Sequence, residues 1–255
     1  MKIGSKFTQF EISHRKASAL LFALVVAGSF SAVSAQHRLS KRYPVNRNVQ
    51  IVLKNMFGTI TVESWDRDEV KLTATFDSPK ANISPRQSAE QLVVDVIGDN
   101  QGRMDVGDVN FKLQVPVNSS VDLQTKRGQI TVNNLRGSWL RAVVSLEGDI
   151  QLTGITSAEV YAHNRTGDIY FDGEFARGGN YQFQSNKGEI TIRIPADSAF
   201  NLTASSQNNK ISLGPFWSDR FQNLGNGRKY VGDVGDGKSK VSVTNFQGSI
   251  QFIRR

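Results

Sequence analysis

Thr125-Lys126-Arg127-Gly128-Gln129-Ile130-Thr131-Val132 returns as Ser145-Leu146-Glu147-Gly148-Asp149-Ile150-Gln151-Leu152, then as Asn164-Arg165-Thr166-Gly167-Asp168-Ile169-Tyr170-Phe171 and Ser185-Asn186-Lys187-Gly188-Glu189-Ile190-Thr191-Ile192. The shared form is Asn, Ser or Thr, two free positions, Gly, a polar residue, Ile, one position and a large apolar residue, repeated about every 20 residues. Ser206 to Leu213 is a further copy, with Asn209 at the glycine position; asparagine is the other residue that tolerates a left-handed backbone. Outlying copies surround Gly58 and Gly248, which makes seven, each with isoleucine two places after the turn residue.

The upstream half of each unit is patterned too. Leu53, Leu123, Val143, Ala162, Phe183, Ala204 and Val243 lie five residues before the turn residue, and Ile51, Val121, Val160, Tyr181, Leu202 and Val241 lie seven before it; only Arg141 breaks the second series. Alternation on both sides of a turn reads as two short strands, each with one buried and one wet face. A repeat of this length implies a stacked array. The sequence therefore predicts an all-β, single-domain β-solenoid of two-strand repeats, against an antiparallel meander of hairpins. A tight hairpin would need positive φ at pairs such as Lys126-Arg127 or Arg165-Thr166, poor choices for it. A type I turn, with a side-chain acceptor at its first position and Gly at its last, suits a coil corner. Gly58, Gly128, Gly148, Gly167, Gly188, Asn209 and Gly248 are then structural turn residues, and Ile130, Ile150, Ile169, Ile190 and Ile211 a buried ladder.

Outside the array, residues 1–35 have the form of an export signal: basic Lys2, Lys6, Arg15 and Lys16, an apolar run from Ala17 to Phe30, and Val33-Ser34-Ala35 as a cleavage site. The run falls short of the roughly 20 apolar residues of a spanning helix. Residues 36–255 are thus expected to be exported, to the periplasm, the cell surface or the medium, with no transmembrane segment after cleavage. There is no cysteine, hence no disulfide and no thiolate chemistry. The net charge of +8 falls to +5 once Lys2, Lys6, Arg15, Lys16 and Glu11 are removed, a modest and scattered excess that argues against nucleic acid. His37 to Arg47 reads as a polar leader. The repeat lapses in two insertions, 77–109 and 214–240. In the first, Ser84-Pro85-Arg86-Gln87 has the form of a helix start, predicting a short helix to about Glu90. After the second, Val241 to Ile253 is expected to close the array as its final rung.

Strand-Pro, a short loop, a strand, then Gly-x-Ile-x-apolar resembles the bacterial putative-adhesin β-repeat family, a domain of unknown function. Leu113 to Leu213 carries the resemblance most fully, with Val49 to Phe76 and the C-terminus adding weaker cover. It implies a structural repeat used in binding or scaffolding at the cell envelope, with a surface polysaccharide or an envelope protein as partner.

Catalytic signals are sparse. Of the histidines, His14 falls in the export signal, His37 in the leader and His163 just before a turn, tied to no Ser or Asp by a catalytic spacing. The reading is a non-catalytic module without cofactor, against a polysaccharide-active β-helix lyase or hydrolase. Asp149, Asp168 and Glu189 would stack about 4.8 Å apart on successive coils. That row is the candidate for weak Ca²⁺ binding, unless Arg127, Arg165 and Lys187 simply neutralise it. Tyr170, Phe216, Trp217 and Phe221 are candidate ligand-binding aromatics; those in the second insertion are equally suited to capping the stack.

Overall fold

The structure, a computed structural model, describes residues 37–208 and 210–255. The stretch 1–35 expected to be an export signal, Gln36 and Asn209 lie outside the described residues. In chain order the N-terminal part gives β1 (His37–Pro44), β2 (Gln50–Lys54), β3 (Ile60–Trp65), β4 (Glu69–Phe76), β5 (Arg86–Gln87), β6 (Gln91–Asp95), a one-turn helix α1 (Val96–Asp99) and β7 (Val109–Pro116). The regular array follows: β8 (Ser120–Arg127), β9 (Ile130–Asn133), β10 (Trp139–Glu147), β11 (Ile150–Ile155), β12 (Glu159–Thr166), β13 (Ile169–Gly173), β14 (Asn180–Lys187), β15 (Ile190–Ile194), β16 (Phe200–Ser206) and β17 (Ile211–Ser212). The chain ends with β18 (Gln222–Leu224), β19 (Lys229–Val234), β20 (Ser239–Gln247) and β21 (Ile250–Arg254).

These strands form two sheets. The first runs β1-β4-β7-β3-β9-β11-β13-β15-β21-β17 and the second β18-β19-β16-β20-β14-β12-β10-β8-β2-β6-β5. Between the edges all pairing is parallel, so each coil contributes one strand to each sheet and the meander is excluded. The isoleucine ladder is continuous: Ile60 pairs with Ile130, then Ile150, Ile169, Ile190, Ile250 and Ile211 follow in register. All but Ile211, which is partly buried on the last coil, are enclosed against the inward Leu, Val and Ala residues of the second sheet. Each enclosed isoleucine contributes about 1.5–3 kcal/mol by leaving water.

The corner explains the glycine. Gly128 has φ +124°, and a Cβ there would meet the carbonyl oxygen of Gly58; Gly148 stands in the same relation to Gly128, and Gly188 to Gly167. Corners stack backbone on backbone, which a side chain would prevent. The first turn residue acts differently from expectation. Rather than accepting, it lies buried in every copy except that of the exposed Ser145, and donates: Asn55 Nδ2 to Phe57 O and Val109 O, both at 2.8 Å, and Asn245 Nδ2 to Gly188 O at 2.8 Å and Ser249 O at 3.0 Å. Carbonyls of the stacked corners face inward there, so a donor is what the position needs.

Four further expectations are corrected. Arg141 does not interrupt the buried series, because β10 carries one extra residue before Gly148: Val144 pairs with Thr125 and Asn164, and the register shifts before Glu147. Leu140, Ala142 and Val144 are the buried residues, and Val143 faces outward. Ser84 to Glu90 is not helical: Arg86–Gln87 pairs antiparallel with β6, the Ser84 N–H donates to Asp99 Oδ2, and Arg86 reaches Asp99 Oδ1 at 2.9 Å. His37–Pro44 is a strand antiparallel to β4 rather than a leader, and its charged residues keep an edge from recruiting another chain. The coil of β20 and β21 is not the last; it lies between the coil of β14 and β15 and that of β16 and β17. Likewise the insertions become end pieces: β6, from the first, stacks outside β2, with β7 continuing that coil outside β3, and β18 and β19, from the second, cover β16.

Candidate binding surfaces

The carboxylates after the turn residues do stack. Ile150 N–H donates to Asp168 O and Ile169 N–H to Glu189 O, which uses the backbone on either side of the intervening residue. The N–H of that residue is left over, and the carboxylate of the neighbouring coil takes it: Asp149 Oδ1 accepts from Asp168 N and Asp168 Oδ1 from Glu189 N, both at 2.8 Å. Glu189 Oε1 accepts from Ser249 Oγ at 2.9 Å. Among the described residues no group of three or more carboxylate or histidine side chains is disposed to hold a metal ion.

The candidate aromatics separate. Phe216 is 4% exposed and packs against Phe200 and Phe252; Phe221 is 8% exposed. Both point inward and close the end of the core, so neither offers a face to a ligand. Trp217, 52% exposed, stacks on Phe221 at 6.0 Å and meets Tyr230 edge-on. Tyr170 lies on the outer face of the first sheet, in line with Thr131, Gln151, Thr191 and Gln251.

The outer face of the second sheet is richer than the sequence suggested. Arg141 donates to Asp122 Oδ1 at 2.8 Å, and Gln124 holds the same carboxylate. The Arg141 guanidinium lies over the Tyr161 ring at 5.6 Å, and Tyr161 Oη is 3.4 Å from His163 Nδ1. Burial, with help from Arg141, holds the half-buried His163 below the ordinary imidazole pKa. A chain of side chains thus crosses β8, β10 and β12, with Trp139 beside it and Gln182 next to Tyr161. At the ends of β12, β14 and β20 the face dips into an open groove of about 660 Å³, lined by His163, Arg165, Thr166, Gln184, Asn186, Lys187, Phe246 and Gln247. The signal for this face was alternation, which marks outward positions. The extra residue in β10 inverted it at Arg141 and Val143, and groove residues of unlike type have no period to betray them.

A second groove, of about 490 Å³, lies at the start of β14 and β20 and includes Arg177, Asp197, Asp236 and Lys238. Its cations are already satisfied, since Asp236 pairs with both Arg177 and Lys238 at 3.5 Å.

Fold and faces together define a parallel β-solenoid of two sheets, bordered by antiparallel strands at β1-β4, at β5 and at β18-β19. Residues 96–252 match the family described as Toastrack DUF4097, a domain of unknown function, and the chain belongs to it. Among solved structures, a putative cell adhesion protein of Clostridium sporogenes superposes with a TM-score of 0.50 at 12% identity, covering 86% of this chain and 100% of that one. A putative adhesin of Bacteroides fragilis gives 0.42 at 14% identity, covering 86% and 99%, and a putative lipid binding protein of Parabacteroides distasonis gives 0.32 at 9%, covering 86% and 97%. At 12% identity the first of these likenesses concerns the fold alone. No curated protein matches the sequence. Among the described residues no helix is long and apolar enough to cross a membrane.

Proposed function

We propose that the chain is an exported, non-catalytic binding module of the bacterial cell envelope, acting on a surface polysaccharide through the outer face of its second sheet. One observation carries the reading: Trp139, Arg141, Tyr161, His163, Gln182 and Gln184 lie together on a run of parallel strands, each paired on both sides. Such strands give up little freedom on binding, which favours a preformed platform. Aromatic rings set among amides are the chemistry that recognises sugars, an apolar ring face surrounded by hydroxyls. Export rests on the pattern of Lys2 to Ala35. The non-catalytic reading rests on the histidines, His37 stacking on Phe76 and His163 turned to Tyr161, neither of them hydrogen-bonded to a serine or a carboxylate among the described residues.

The test mixes the chain recovered after export with insoluble polysaccharides and cell-wall preparations. Depletion of the protein without release of sugar supports a binding module. Soluble sugar or unsaturated uronate in the supernatant makes it an enzyme, and the reading fails.

A further inference from the structure

The groove at the ends of β12, β14 and β20 points to a ligand class. Its floor is built in register: Asn164, Ser185 and Asn245 pair across the three coils and lie buried, so the residues that follow, Arg165, Asn186 and Phe246, are directed outward. Asn164 and Asn245 each donate to carbonyls of their own and the neighbouring corner, which fixes the backbone beneath. Beyond β12 lies β10, whose extra residue ends the regular surface.

Three properties coincide there. The lining holds two cations, Arg165 and Lys187, and no carboxylate. Neither cation belongs to an ion pair among the described residues, in contrast to Arg177 and Lys238 of the other groove. Phe246 keeps a large apolar ring at the surface, 38% exposed, where the neighbouring outward residues Asn186 and Gln247 are polar. Gln184, Asn186, Gln247 and Thr166 supply neutral donors and acceptors.

We propose that this groove binds a uronate-rich segment of an anionic polysaccharide laid across β12, β14 and β20. Arg165 and Lys187 meet its carboxylates, Phe246 lies against a ring face, and the amides bond its hydroxyls. Nucleic acid fits less well, because a backbone-tracking groove carries a string of cations, and the next outward row here is His163, Gln184 and Thr244. An acidic peptide would add itself to a free strand edge, and these three strands have neighbours on both sides. The inference rests on the binding-module reading and names the ligand of that same face.

The test is calorimetric titration of the exported chain with polygalacturonate, neutral dextran and single-stranded DNA. Polygalacturonate is expected to bind at least about ten-fold more tightly than either of the others, and to weaken as salt is added. R165Q/K187Q should lose about ten-fold or more in affinity and F246A several-fold, with melting unmoved, while R177Q/K238Q binds as the parent does. Unchanged affinity in R165Q/K187Q overturns the proposal, as does DNA binding equal to that of polygalacturonate, which would show charge attraction alone. Binding to dextran but not to polygalacturonate overturns the groove assignment and leaves the binding-module reading standing. Failure to bind any polysaccharide or cell-wall preparation overturns both.

Discussion

Asp168 accepts the backbone N–H of Glu189 through Oδ1 at 2.8 Å, and Asp149 does the same for the backbone N–H of Asp168. The row is a ladder of oxygen acceptors, and what it needs from each side chain is the oxygen rather than the charge. Asp168→Asn keeps an acceptor and should stay within ~0.5 kcal/mol of the parent, whereas Asp168→Ala orphans the Glu189 N–H and should cost about 1 kcal/mol. Thermal melts of the three proteins check this. Millimolar Ca²⁺ or chelator should leave each midpoint where it is; a Ca²⁺-dependent rise that Asp168→Asn abolishes would make the row a cation site.

Gly167 combines two demands that can be separated. Its φ is +129°, and a Cβ would run into the carbonyl of Gly148, whereas Gly178 has φ +79° and open space where a Cβ would go. Gly178→Ala should lose about 1 kcal/mol for backbone conformation alone. Gly167→Ala should lose about 3 kcal/mol or more, because the coil beneath must also move. Denaturant midpoints at constant slope give both numbers. Equal losses would mean that the stacking contact adds nothing.

Phe216 and Trp217 are adjacent and should behave differently. Phe216 sits 5.9 Å from Phe200 and 6.5 Å from Phe252, ring to ring, at the end of the core. Phe216→Ala opens that end and should cost about 3–5 kcal/mol. Trp217→Ala, removing a ring that is half in water, should cost about 1 kcal/mol and leave cell-wall binding intact. Lost binding with unmoved melting would instead make the cap a contact surface.

The coil was legible because its two constraints are local and each leaves a residue type behind: glycine where backbones stack, and isoleucine two places on. Coil order was not. Ile190 pairs with Ile250 rather than with Ile211, and since both candidates present the same isoleucine, nothing local distinguishes them. The bulge in β10 was hidden for a related reason, because Val143 and Val144 are equally apolar and only the neighbours Thr125 and Asn164 decide which turns inward. At Ser84-Pro85 a real local helix signal lost to a sheet edge that offered β5 a hydrogen-bonded partner. The groove was the least legible part. Arg165, Lys187 and Phe246 come from three coils, and only the stacking makes them neighbours.

His163 gives the chain a pH dependence with a definite sign. Burial, then the Arg141 charge, holds its folded pKa below the ordinary imidazole value. As pH falls through that value, the unfolded chain takes up a proton that the folded chain resists, so the unfolded state is favoured. The contribution of His163 to stability is therefore complete above the unfolded pKa and is lost as pH falls toward the folded one. The melting temperature of the parent should drop between about pH 7 and pH 5, and His163→Gln should flatten part of that drop while changing little at pH 8. A slope identical in parent and variant would show that His163 takes up its proton as readily folded as unfolded.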